Sequence, residues 1–380
     1  LALETFSVKL AKSGSPTRDD INSETGFIMS QTKPNRRIFL KGTTAAVAMA
    51  PYLWMNSQMK AESHNHKPVL NQETFIGPWA GLPVAWSDDD RFAERTYRAN
   101  VARCCTAGIP GVYTGGTTGE FYAMEFDEFK AVARATVEEC HAHDKPAMVG
   151  CTSTYTLGAA RRAAYAAEID ADAIQVALPF WMEVPDKQIV PFFKEVVEAS
   201  GGLPLSVYET LRTKKALTLE QHLALKDAVP SYMMVKANSG TIGTTPEGCK
   251  ALSKFVNVFA SECLWGKLGP LGLVGSCSAM VYWNPRVVLQ FWQELKQQNW
   301  AGVDTTCKRV NQLHKFLGET FAPRGFTDTA YDHAGGVASG FLKMSLRSRG
   351  PYCSATHKDV EIWQDWYRKH WPEMLALGTF

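Results

Sequence analysis

From Phe75 onward, hydrophobic residues fall into two alternating patterns. Short, almost wholly apolar runs are followed by longer stretches in which apolar positions recur every third or fourth residue. The first pattern predicts strands buried on both faces and the second predicts amphipathic helices. Strands are expected over 77–84, 111–113, 147–150, 173–177, 205–208, 233–236, 256–260 and 272–277. Helices are expected between them, over 91–107, 125–143, 157–169, 186–199 and 219–228. Asp186 and Thr218 stand at helix starts as N-cap candidates, and Pro204 and Pro230 mark breaks before the next strands. Eight strands alternating with helices favour a closed (β/α)8 TIM barrel. A doubly wound open sheet is the alternative, but no G-x-G-x-x-G fingerprint follows the first strand. Beyond Pro285 only helical periodicity remains, over 286–298, 303–319, 329–346 and 358–369, which predicts a C-terminal helical extension. The expected organisation is a tail over 1–70, a barrel over 71–298 and a helical region over 299–380 packed on the barrel.

The tail carries its own signal. Asn35-Arg36-Arg37-Ile38-Phe39-Leu40-Lys41 precedes a mildly apolar, Ala/Thr-rich stretch ending near Ala50, within a segment of about 29–61. This resembles a twin-arginine export signal, so an exported, periplasmic location is expected. The apolar run is too short for a stable membrane span in the mature protein. Met29 is a candidate true start, and residues 1–28 lack apolar periodicity.

Composition narrows the function. The balance is that of a globular protein, with 45% hydrophobic and 21% charged residues among 380. Net charge is +2, from 40 basic and 38 acidic side chains, and basic residues cluster only as pairs such as Arg161-Arg162 and Lys214-Lys215. That argues against nucleic acid as a partner. The nine cysteines form no C-x-x-C pair or zinc spacing. His64-x-His66 and His141-x-His143 come without a carboxylate framework, and no metal is expected.

Candidate chemistry lies at three strand ends. Gly115-Gly116-Thr117-Thr118-Gly119-Glu120 follows the second strand, Tyr208 ends the fifth and Lys236 ends the sixth. Residues just after barrel strands converge at one mouth, so all three sites should share a cavity. A lysine at the end of an apolar strand is desolvated, which is expected to lower its pKa and free it to attack a ketone. A tyrosine hydroxyl can carry protons at the attacked carbon. Backbone N–H groups and hydroxyls of a Gly-Thr-Thr-Gly turn can hold a small carboxylate. Each residue alone has an ordinary structural explanation; their combination on correctly ordered strands suggests Schiff-base chemistry.

On these residues the chain resembles the dihydrodipicolinate synthase / N-acetylneuraminate lyase family of pyruvate-using class I aldolases. Gly116 to Glu120 resembles the family's carboxylate loop, Pro204 to Tyr208 its tyrosine strand and Val235-Lys236 its lysine strand. Leu271 to Ser278, including Cys277, resembles its Gly-rich eighth strand. The resemblance implies a lyase in which Lys236 forms an imine with pyruvate or a related 2-keto acid. It implies that Tyr208 shuttles protons through Thr118, and that Gly116, Thr117 and Thr118 receive the carboxylate. It also implies that no cofactor is needed beyond the covalent imine, and that the chain assembles as a homo-tetramer or dimer. Departures fall around the second substrate. Tyr208 is followed by Glu209-Thr210-Leu211-Arg212, without the family's Asn-x-Pro, and the Arg comes one position early. A tyrosine contributed across a subunit interface in the synthase would fall near Phe180-Trp181, and the family's Glu after the lysine is Ala237. Trp181 and Arg212 are thus expected to line a remodelled specificity side. A keto-deoxy sugar acid dehydratase using the same imine, and a non-catalytic keto-acid-binding barrel, remain as alternatives.

Overall fold

The computed structural model describes residues 70–378, so the twin-arginine-like segment lies outside the described residues. Eight parallel strands form the barrel: β1 (Gly77–Gly81), β2 (Val112–Thr114), β3 (Ala147–Gly150), β4 (Ala173–Val176), β5 (Leu205–Glu209), β6 (Tyr232–Ala237), β7 (Asn257–Phe259) and β8 (Leu273–Ser278). Each strand pairs with the next and β8 closes on β1, as the alternating pattern predicts. Outside stand α1 (Glu94–Thr106), α2 (Phe126–His141), α3 (Thr156–Glu168), α4 (Asp186–Ala199), α5 (Leu219–Ala228), α6 (Pro246–Leu252) and α7 (Trp265–Leu268). Then come α8 (Met280–Trp283), α9 (Pro285–Lys296), α10 (Trp300–Thr320), α11 (Asp328–Ser339) and α12 (His357–His370).

Local chemistry accounts for the helix limits. Thr218 caps α5 in a reciprocal capping box with Gln221, satisfying two backbone donors that the first turn leaves open. Asp186 differs from expectation. It is the first helical residue of α4 rather than its cap, and its carboxylate accepts from Lys215 Nζ at 2.6 Å.

Alternation of side chains along each strand sorts the barrel. Val112, Val235, Val207 and Leu205 join the large core between the strands and the outer helices. Phe75, Trp79, Tyr113, Met148, Met234, Phe259 and Cys277 fill the interior. By the same parity Tyr208 and Lys236 are inner residues, and the β5–β6 register sets them side by side.

The C-terminal helices belong to the same compact unit as the barrel. Trp265 packs against Phe291 and Trp292 of α9, with ring centroids 4.6 and 5.8 Å away. Asn284 donates to the carbonyls of Glu373 and Met374, tying the end of the chain to the start of α9. The predicted helix over 329–346 stops at Ser339, because Gly340 adopts a left-handed conformation with φ +82°. An extended strap follows. Lys343 N donates to Asn100 Oδ1 at 3.1 Å, Ser345 Oγ to the Trp86 carbonyl at 2.6 Å, and Arg347 to Asp90 at 2.7 Å. Glu120 anchors the strap from the other side, accepting from the Arg349 backbone N–H at 2.8 Å and from Trp86 Nε1.

Helix α11 approaches α8 closely because position 335 lacks a side chain. A Cβ there would stand 2.4 Å from Trp283 Nε1. Gly335→Ala is therefore expected to destabilise the protein by about 1–3 kcal/mol through overpacking. Thermal denaturation checks this: an unchanged melting temperature would mean that α11 has slack against α8.

Candidate active site

Lys236 is 5% exposed, and its amine is held between two inward-facing tyrosines. Nζ lies 3.9 Å from the centre of the Tyr208 ring and donates to the Tyr113 hydroxyl at 3.2 Å. A Cβ on Gly81 would stand 2.2 Å from the Tyr113 hydroxyl, so this glycine makes room for the contact. Burial pushes the lysine down, but Tyr113, Tyr208 and Cys277 push it up, and the net displacement is upward. The expected lowering is thus corrected. Desolvation acts as foreseen, yet a phenol oxygen and a ring face compensate the ammonium directly.

The Tyr208 hydroxyl lies 3.2 Å from Thr117 Oγ1 and accepts from Asn238 Nδ2 at 3.2 Å. Thr117, rather than Thr118, is therefore the threonine on the tyrosine, a second correction. Thr118 lines the same cavity but neighbours Asp332 of α11. Successive residues of a tight turn point different ways, which adjacency in sequence does not reveal.

Asp332 is 6% exposed and also neighbours Tyr282 of α8. Burial and the neighbouring Asp328 push its carboxyl up to about 7. Asp328, one helical turn earlier on α11, pairs with Arg212 at 2.9 Å. Although burial opposes ionisation, Arg212 and Lys236 hold Asp328 below its ordinary value. Cys277 faces the cavity from β8, its thiol pushed up to about 11 by burial.

Two chambers share Thr117, Tyr208 and Asp328. The Lys236 chamber, about 50 Å³, is also lined by Tyr113, Tyr282, Tyr331 and Asp332. The second, about 230 Å³, is lined by Phe121, Tyr122, Phe180, Tyr352 and Arg212 among others. Phe121 meets Phe180 edge-on at 5.7 Å and Tyr122 meets Tyr352 at 5.0 Å.

The structure brings together most of the residues singled out from sequence. Lys236, Tyr208, Thr117, Thr118 and Cys277 line the first chamber, and Arg212 lines the second. Trp181 does not join them: it is 75% exposed and lines neither chamber, whereas Phe180 beside it does. Gly116 acts through its lack of a side chain, since a Cβ would come within 3.0 Å of the Tyr113 ring. Glu209 points away from the mouth and pairs with buried His222 at 3.2 Å. His141 pairs with Asp172 at 2.8 Å, and among the described residues no group of three His, Cys, Asp or Glu could hold a metal.

Tyr113, Asn238, Tyr282, Asp328 and Asp332 were not anticipated. Tyr113 precedes the glycine loop on its own strand, and Asn238 shares the inward parity of Lys236. The i, i+4 carboxylates of Asp328-Thr329-Ala330-Tyr331-Asp332, in a helix with no other acidic residue, are the signal that could have flagged α11.

Comparison with known proteins identifies the family. The Dihydrodipicolinate synthetase family matches residues 74–343, a span that includes the whole barrel and α11. The chain belongs to this family. A 4-hydroxy-tetrahydrodipicolinate synthase of Rhizobium meliloti (strain 1021) is 28% identical over 250 residues, covering 65% of this chain and 82% of that enzyme. An N-acetylneuraminate lyase of Escherichia coli (strain SE11) is 27% identical over 245 residues, covering 62% and 80%. Among solved structures, YagE of E. coli K12, a prophage protein of the dihydrodipicolinic acid synthase family in complex with pyruvate, superposes with a TM-score of 0.70. It is 18% identical and covers 80% of this chain and 99% of its own, a likeness of fold. Family members are cofactor-independent Schiff-base aldolases. No helix among the described residues is long and apolar enough to cross a membrane.

Two buried carboxyls give the fold a pH signature. Asp332 is raised from 3.8 and Glu120 from 4.5, each to about 7, in both cases chiefly by burial. Both bind a proton more readily in the folded state. The stability tied to them is full below the unfolded values and is lost as pH rises through about 7. The melting temperature is expected to rise from about pH 8 to about pH 6, and Asp332→Asn to flatten that slope. An identical slope in the variant would remove Asp332 as its source.

Proposed function

We propose that this protein is a class I aldolase or lyase that cleaves or forms a carbon–carbon bond in a 2-keto acid, through an imine on Lys236. One observation carries the reading: a buried amine at the mouth end of β6 touches the Tyr208 ring, whose hydroxyl is bonded to Thr117 of the glycine loop. The pyruvate-bound relative supports the class of substrate. Lys236, once deprotonated, attacks C2 of the keto acid. The Tyr208 hydroxyl, linked to Thr117, passes protons as the carbinolamine forms and loses water. The resulting iminium accepts the electron pair of the bond being broken beside it. The second chamber, with its aromatic walls and Arg212, receives the remainder of the substrate.

Borohydride reduction in the presence of pyruvate tests the reading. Wild-type protein should gain a pyruvate-dependent adduct on Lys236, located by peptide mass mapping, and Lys236→Ala should gain none while remaining folded. Thr117→Val should slow adduct formation at least about tenfold by cutting the proton path. Turnover retained by Lys236→Ala would end the proposal. Since the amine is held protonated, adduct formation should accelerate as pH rises.

Export is proposed on the Arg36-Arg37 segment alone. Replacing both arginines with lysine should retain the protein in the cytoplasm, as cell fractionation would reveal.

A further inference from the structure

The chamber around Lys236 holds more titratable groups than imine formation uses. Lys236 is the nucleophile, and Tyr208 with Thr117 serves the attacked carbon. Tyr113 on β2, Tyr282 on α8, Asp328 and Asp332 on α11, His314 on α10 and Glu262 after β7 also line it. An aldolase needs a further proton transfer, because the imine becomes a carbon nucleophile only when C3 loses a proton. The phenols of Tyr113 and Tyr282 are pushed up by burial and stay un-ionised. His314 is pushed down to about 3 by burial, leaving a weakly basic ring. Glu262 is engaged by β8, accepting from Ser276 Oγ at 2.9 Å. Asp328 is committed to Arg212 at 2.9 Å.

Asp332 differs from all of these. Its neighbours are the hydroxyls of Thr118 and Tyr282, and among the described residues no cation pairs with it in the way that Arg212 pairs with Asp328. Those hydroxyls steady a carboxylate without quenching its basicity. Its placement on the turn after Asp328 puts it on the face of α11 that lines the chamber.

We infer that Asp332 is the base that removes a proton from C3 of the imine-bound keto acid, a catalytic residue delivered to the barrel by the C-terminal helix α11. The inference rests on the imine reading proposed above. In this step the C3–H bond breaks and its proton passes to an Asp332 oxygen. The C–H electron pair becomes the C2–C3 double bond, and the iminium π pair returns to the Lys236 nitrogen. The neutral enamine can then attack an aldehyde; in cleavage the same carboxyl returns the proton to C3. A carboxyl brought up to about 7 suits a base that must be regenerated each cycle near neutral pH.

Exchange of the pyruvate methyl protons in deuterium oxide, followed by proton NMR, isolates the step without an aldehyde. Wild-type protein should exchange them, with a rate per trapped imine that rises with pH to a plateau above about 7. Asp332→Asn should lower the exchange rate roughly 10²–10⁴-fold while borohydride still traps pyruvate on Lys236, and Asp332→Glu should restore part of it. Thr118→Val removes a hydroxyl that favours the carboxylate, so the limb should move to higher pH. Exchange within about threefold of wild type in Asp332→Asn, or an unmoved limb in Thr118→Val, would overturn the assignment. Loss of trapping in a folded Asp332→Asn would also overturn it, by placing Asp332 in imine formation. Absence of trapping in wild-type protein would instead sink the imine reading itself.

Discussion

The arrangement of the mouth depends on one buried amine and what compensates it. An ammonium group inside a barrel is costly unless something replaces its water. Here a phenol oxygen from β2 and the face of a phenol from β5 do so. Both partners come from strand positions of inward parity, and Tyr113 needs room that glycines provide. Gly81 clears the Tyr113 hydroxyl and Gly116 lets the loop fold over the Tyr113 ring. The chemistry of the site and the packing of the barrel's upper layer are therefore the same set of contacts.

The C-terminal helices complete that layer. Helix α11 carries Asp328, Tyr331 and Asp332 to the chamber, and Gly335 allows it to sit against Trp283. Past Gly340 the strap runs back to the segment after β1 and to Glu120 of the glycine loop. Glu120 thus joins the loop that positions Thr117 and Thr118 to the chain that follows α11. A helical region expected as an appendage instead supplies one wall of the cavity. The two carboxyls on that wall sit in opposed environments, Asp328 beside a cation and Asp332 beside a like charge. Such opposed pairs are how one cavity keeps a fixed charge and a titrating group a single turn apart.

The departures after Tyr208 take on separate meanings in the structure. Glu209 has outward parity and serves His222 behind the strand, so it alters the wall between β5 and α5 rather than the pocket. Thr210 receives the backbone N–H of Arg212 at 3.3 Å, which turns the chain so that Arg212 reaches Asp328. Of the neighbours Phe180 and Trp181, only Phe180 turns into the second chamber.

Periodicity in the sequence determined the barrel, because strands buried on both faces and helices buried on one leave different spacings of apolar residues. Parity along β5 and β6 likewise determined that Tyr208 and Lys236 face inward and lie together, since closing the barrel leaves a strand-end residue few other places. The sequence alone did not determine which threonine meets the tyrosine, which way the lysine's pKa moves, or that Asp332 enters the cavity. Those outcomes rest on where a turn points its side chains and on contacts between residues such as Thr118 and Asp332, far apart in the chain. A spacing rule carries no information about such contacts, because the distance that decides them is measured through space.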